Sequence, residues 1–172
     1  MHERHVALRD GSKVLIRRLV PDDERLYPDF LADVTPDDLR LRFFVPLREV
    51  NQEILDRLIH YDPAHAMAFI AIDQVTGKML GVVRLHDDAS GKSGEFAILL
   101  RSHLKGRGLG WAMMQHMIAY AREKGLQSVR GQVLSENRSM LIMCEELGFA
   151  VHDDPTERGI KVVELPLEPL PA

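Results

Sequence analysis

The residues best suited to chemistry form one short segment, Lys105-Gly106-Arg107-Gly108-Leu109-Gly110, in which glycines alternate with two cations. A strand-like run from Glu95 to Leu100 points at this segment, and an apolar-periodic run begins at Leu109. A helix start presents unpaired backbone N–H groups and the positive end of its dipole, so it favours an anion. Gly106, Gly108 and Gly110 remove side chains that would block a close approach, while Lys105 and Arg107 add positive charge. Together these features describe a phosphate cradle. A dinucleotide fingerprint G-x-G-x-x-G fails, because its last position falls on Trp111 or Met113. A P-loop fails for want of Gly-Lys-Ser/Thr. A glycine-rich turn that binds nothing has the same spacing, and that account stays open here.

The elements that must position this segment follow from periodicity and turn signals. Val14 to Leu19 reads as a strand. Pro21-Asp22-Asp23-Glu24 opens a helix running to about Ala32, with acids in its first turn. Thr35-Pro36-Asp37-Asp38 opens a second, ending near Phe44, and Asn51 caps a third with Ile54, Leu55, Leu58 and Ile59 at helical spacing. Met67–Asp73 and Met79–Leu85 form a hairpin around Gln74-Val75-Thr76-Gly77-Lys78. Glu95 to Leu100 is a nearly continuous apolar strand, expected to be central and covered on both faces. Leu109, Ala112, Met113, His116, Met117 and Tyr120 make one helical stripe, which Gly125 ends. Ser128–Leu134 is a strand, Ser135–Leu147 a helix closed by Gly148, and Phe149–His152 and Ile160–Leu165 are strands. The first ten or so residues and Pro166 to Ala172 are expected to be loosely held. This order predicts an α/β (α+β) fold, a mixed sheet with helices on both faces.

Composition limits the function. At 172 residues the chain has room for one sizeable core and not for two ordinary domains. It is 45% hydrophobic and 28% charged, the balance of a soluble globular protein. A net charge of -4 and a pI near 6.1 do not mark a nucleic-acid binder. No apolar run suggests a secretory signal or a membrane span. The single Cys144 excludes an intrachain disulfide and fits a reducing cytoplasm. None of the 8 histidines forms an HExxH or Cys/His cluster, so no metal is expected.

The glycine segment resembles the acetyl-CoA motif of the GNAT N-acetyltransferases, Q/R-x-x-G-x-G/A, apart from Lys105 at the first place. A second family block is similar to Asn137 followed by Leu147-Gly148-Phe149. The likeness runs from about Val14 to Leu165, which implies one GNAT domain over residues 1–172 with its core about 14–165 and a mostly antiparallel sheet. Three further stretches resemble the bacterial Pat-type protein-lysine acetyltransferases: Leu41-Arg42-Phe43-Phe44, Gly94-Glu95-Phe96-Ala97, and Ser135-Glu136-Asn137-Arg138-Ser139-Met140. In many of those proteins the domain is fused to a much larger region or to a nucleotide-binding regulatory domain.

The resemblance implies acetyl-CoA as co-substrate and an amine acceptor, a protein lysine, with a small amine as the alternative acceptor. A non-catalytic acyl-CoA sensor is a third possibility, and oligomeric state is not indicated. The resemblance implies that Ile98, Leu99 and Leu100 pair their backbone with the pantetheine arm. It also implies that Lys105, Gly106, Arg107, Gly108, Leu109, Gly110 and Trp111 surround the pyrophosphate, and that Asn137 bonds the cofactor arm. For Asn137 an ordinary helix-start role is the plainer alternative. Acetylating a lysine requires the neutral amine. With a pKa of about 10.4, only about 0.04% is neutral at pH 7, a cost of about 4.6 kcal/mol. Glu95 is the candidate base, an acid at the start of an apolar strand where burial would raise its pKa. The alternative is a solvated or salt-bridged strand-end carboxylate. The family often carries a Tyr seven residues after the Asn to protonate the leaving thiolate. Here that place is Cys144, expected to be core, so the proton is assigned to solvent or the incoming amine.

Overall fold

The structure is a computed structural model, and it describes residues 3–44 and 50–168. Eight strands form one sheet: β1 (Arg4–Ala7), β2 (Lys13–Arg18), β3 (Ala66–Asp73), β4 (Met79–Asp87), β5 (Ser93–Leu100), β6 (Ser128–Leu134), β7 (Ala150–Asp153) and β8 (Ile160–Pro166). Their order is β1-β2-β3-β4-β5-β6-β8-β7, and only the β5/β6 pair is parallel. Five α-helices among the described residues cover it: α1 (Tyr27–Ala32), α2 (Pro36–Phe43), α3 (Gln52–Ile59), α4 (Leu109–Lys124) and α5 (Arg138–Glu146).

Apolar residues on the two sheet faces build two cores. Phe96, Ile98, Leu109, Met113, Met117 and Cys144 meet on the side of α4 and α5. Tyr27, Phe30, Leu39, Leu55, Val82 and Leu99 meet under α1, α2 and α3. The expected stripe of α4 is buried except for the half-buried Tyr120, and Gly125 ends that helix at φ 85, the left-handed conformation that glycine adopts without strain. Asn51 caps α3, its Oδ1 accepting from the Ile54 amide at 2.9 Å.

The structure departs from the sequence reading at several places. The expected helix from Pro21 is a 3-10 segment over Pro21–Leu26 before α1, and Pro28 in the first turn of α1 has no N–H to extend an earlier helix. From Arg4 onward the N-terminal segment is not loose, since Arg4–Ala7 pairs antiparallel with β2 and Leu8 is buried, while residues 1–2 lie outside the described ones. At the other end Pro166 belongs to β8, and the Leu167 amide donates to the Gln127 carbonyl at 2.8 Å. Residues 169–172 of that expectation lie outside the described ones. Helix α5 starts at Arg138 rather than Ser135, because Asn137 is its cap. β5 is central in strand order, but it is not covered throughout: Glu95 is exposed and Ala97 half-buried. No described helix is long and apolar enough to cross a membrane.

Candidate functional site

The site begins where two strands part. β5 and β6 pair only at Ser93↔Ser128, Gly94↔Val129 and Glu95↔Arg130. Beyond that rung β5 stays with β4 as far as Leu100, while β6 stays with β8 as far as Leu134. Phe96 sits at the fork. A Cβ at Gly131 would lie 2.4 Å from its ring, so only glycine leaves the ring this place. The edge of β5 from Phe96 to Leu100 therefore lacks a strand partner on the β6 side, and its backbone is open to a ligand.

A cavity of about 610 Å³ fills the fork. Phe96 through Leu100 form one wall, with Gln132 and Val133 of β6 opposite. Asp38, Leu41, Arg42 and Phe44 come from α2 and its end, and Asn137, Met140 and Met143 from α5. Lys105, Gly106, Gly108, Gly110 and Trp111 close the mouth.

The glycine segment has a left-handed backbone at two positions. Gly106 and Gly108 have φ of 80 and 92, a region L side chains rarely enter, and both face open space. Gly108 is the N-cap of α4, and no side chain caps that helix. By contrast Thr35, Asn51 and Asn137 each cap their helix with a side-chain oxygen. The first amides of α4 are thus left for something outside the helix. Lys105 pairs with Asp38 of α2. Arg107 does not line the cavity; it lies 3.4 Å from Asp10. Leu109 is fully buried, so only its backbone can serve a ligand. Asn137 lines the cavity and caps α5, its Oδ1 accepting from the Met140 amide at 3.4 Å. The helix-start role is real, and it leaves the side-chain NH2 without a partner among the described residues.

Glu95 stands apart from this cavity. It shares a sheet face with Ala97 and Leu99, opposite His86 on β4 and Arg130 on β6. It lines a separate hollow of about 340 Å³ with Asp88, Arg130, Gln132 and Asp154. The burial expected of it is absent, because its end of β5 projects past the core under α1, α2 and α3. Partial burial and the cations Arg84 and Arg42 hold the His86 imidazole below its ordinary value. Cys144 is fully buried, and burial pushes its thiol up to about 12, so it packs rather than donates a proton.

Sequence reasoning missed the α2 wall, Asp38 and Arg42 above all, and it missed Arg84 with Tyr27 beneath it. Arg84 left a signal, a cation inside the apolar run Met79–Leu85. Asp38 shows in the sequence only as one of several helix-start acids that could draw a cationic acceptor, and an acid in a first helical turn is ordinary. Among the described residues, no group of three or more His, Cys, Asp or Glu is placed to hold a metal ion.

Residues 13–150 match a family described as the acetyltransferase (GNAT) domain. An acetyltransferase of Pseudomonas aeruginosa is 29% identical over 153 residues, covering 88% of this chain and 82% of its own. The acetyltransferase Pat of Mycolicibacterium smegmatis is 23% identical over 167 residues, covering 96% of this chain, which spans 49% of that relative's length. Among solved structures, the GNAT domain of S. lividans PAT superposes with a TM-score of 0.88 at 26% identity, over 96% of this chain and 97% of that one.

Proposed function

The chain belongs to the acetyltransferase (GNAT) family, and from that premise we propose that it transfers the acetyl group of acetyl-CoA to the side-chain amine of a protein lysine. The observation that carries the donor assignment is the uncapped start of α4 at Gly108, opening on a cavity whose other wall is the unpaired edge of β5. A diphosphate suits the amides of residues 106–111, reinforced by Lys105. An extended arm ending in amides suits the backbone of Ile98, Leu99 and Leu100, with Asn137 donating from the opposite side. In this reading residues 14–165 act as one catalytic domain. A cytoplasmic setting fits a lone, buried, reduced Cys144.

The acceptor amine attacks the thioester carbonyl carbon, a C–N bond forms, and the C–S bond breaks. In this reading an amide N–H near Ile98 meets the oxygen as it gains charge. The lysine arrives as an ammonium, and Glu95 takes its first proton, directly or through one water, leaving the neutral amine that attacks with one more proton to lose. The thiolate recovers a proton from solvent or from the amine, because Cys144 is enclosed and lies off the cavity. Support for a lysine acceptor comes from the hollow around Glu95. It gathers Asp88, Glu95 and Asp154 against the single guanidinium of Arg130, a balance that draws an ammonium group. The likeness to Pat and PAT proteins points the same way.

The test is incubation with acetyl-CoA and a cell lysate, with acetylated lysines read by mass spectrometry and free CoA thiol by a colorimetric assay. Acetyl-lysine rising at defined sites above the enzyme-free control is expected. Thiol release with spermidine or a free amino acid, and no added acetyl-lysine, would reassign the acceptor to a small amine. No release with any amine would replace the transferase with an acyl-CoA sensor.

A further inference from the structure

Two arginines, each only 4% exposed, are treated differently by the fold. Arg101 is fully matched: its Nε donates to the Met79 carbonyl at 2.7 Å, and its terminal nitrogens reach Asp33 at 2.6 Å and Asp29 at 2.7 Å. Arg84 makes one side-chain bond, from Nη2 to the Tyr27 hydroxyl at 3.2 Å, and no ion pair with any described residue. Beside it stands a second cation, Arg42, half-buried at the end of α2 and also without an ion pair among the described residues. Its guanidinium lies 4.6 Å from the centre of the Phe43 ring. Burial and the charge of Arg84 push the Arg42 guanidinium down to about 10.

Buried charges are ordinarily paired, and an apolar residue in place of an unpaired one would be more stable. The surroundings show that room is kept. Arg84 is flanked across the sheet by two small residues, Ala68 and Ala97. Tyr27, Arg42, Phe43, Arg84, Ala97 and Leu99 enclose a space for about one water-sized group. Arg42, Ala97 and Leu99 also line the large cavity, so the small space adjoins the β5 segment beside which the proposed transfer takes place. The carboxylate nearest in charge, Glu95, acts on Arg42 through space without forming an ion pair.

We propose that Arg42 and Arg84, with the Tyr27 hydroxyl, form a carboxylate-binding subsite beside the transfer centre. Two guanidiniums present planar donor pairs matched to a carboxylate, and Tyr27, which accepts from Arg84, keeps its own proton to donate. The carboxylate belongs either to the donor, as a dicarboxylic acyl group, or to the acceptor, as an acid next to the target amine. The location beside the transfer centre rests on the acetyltransferase reading; the anion chemistry does not.

The experiment compares wild type with Arg42→Gln in two matched pairs. The donor pair is acetyl-CoA against succinyl-CoA, with an uncharged-terminus lysine peptide as acceptor. The acceptor pair is that peptide against one carrying an aspartate beside the lysine, with acetyl-CoA as donor. Each protein is scored by its own kcat/KM ratio within a pair, so a general loss cancels. Calorimetry on CoA thioethers ending in carboxylate or methyl, and on both peptides with CoA bound, scores the same ratios without turnover. A wild-type preference for the carboxylate member of one pair that falls at least tenfold in Arg42→Gln supports the subsite, and that pair names its source. Ratios in both pairs that change by less than tenfold overturn it. Binding of both thioethers without any acyl transfer would sink the transferase reading while the binding ratios still decide the subsite. Arg84→Lys, which keeps the charge, should lose less of the preference than Arg84→Gln.

Discussion

Glu95 lies exposed on the β5 face shared with Ala97 and Leu99, so the fold alone does not desolvate it. In the proposed mechanism its strength as a base must come from the acceptor that covers the hollow around it. Glu95→Gln should leave CoA affinity within about twofold and lower kcat by at least about tenfold, the lower range for a lost general base. Steady-state kinetics beside calorimetry checks this, and unchanged turnover removes Glu95 from the mechanism. Cys144 makes the opposite case. Its thiol is fully enclosed, so Cys144→Ala should cost about 1–2 kcal/mol of stability and leave kcat unaltered. A selective fall in kcat with stability intact would restore the thiol as the acid. At this scale Glu95 was legible as an acid in an apolar strand, and its exposure was not. Whether a neighbouring helix covers one residue of a strand is a property of packing.

At the scale of elements, the fork between β5 and β6 creates the cavity. Phe96 stacks over Gly131 one residue past the last shared rung and T-packs on Phe149 at 5.6 Å between centroids. Gly131→Val puts a side chain into that ring. It should destabilise the protein by about 1–3 kcal/mol, as overpacking does, and weaken CoA binding together with stability. Thermal unfolding and calorimetry test it, and a variant with both values unchanged would show that the ring yields freely. Helix α2 then roofs the fork. Asp38 binds Lys105 and Ser102 ahead of α4, and Arg40 reaches Glu136 ahead of α5 at 2.6 Å. The Arg40 pair is exposed and adds little. Asp38 matters more. Burial works against its charge, but hydrogen bonds from Lys105 and Ser102 outweigh that and hold its carboxyl below the ordinary 3.8. A carboxyl depressed in the folded state stabilises it above the unfolded pKa, and this contribution is lost as pH falls through the folded value. Asp38→Asn should therefore lose less thermal stability than wild type between about pH 5 and pH 3. Equal losses would exclude the Asp38 contacts as the cause.

For the whole molecule, a net charge of -4 does not attract a polyanion, so recognition must be local. In the proposed reading Lys105 and the start of α4 supply it at the cavity mouth, and Arg9 also lines that cavity. A ligand that binds only the folded state stabilises it by about 2.7 kcal/mol at a hundredfold excess over Kd. For a chain of this size that is a rise of about 5–10 °C in Tm. CoA should produce it in differential scanning fluorimetry, and Gly108→Val, strained at φ 92, should shrink it. An unmoved Tm at millimolar CoA would leave the cavity without its assigned ligand.

The amino-acid order alone determined most of the elements, the two-faced mixed sheet, and the glycine cradle at the start of α4. All three rest on local physics: the 3.6- and 2-residue periods, the φ that glycine permits, and the unpaired amides of a first helical turn. The tertiary structure alone decided where β5 leaves β6, that α2 closes over the gap, that Arg4–Ala7 finds a partner, and that Arg84 lies buried beside Arg42 with no carboxylate paired to it among the described residues. These depend on contacts between residues tens of positions apart, such as Phe96 on Gly131 and Tyr27 on Arg84, and no local pattern encodes them.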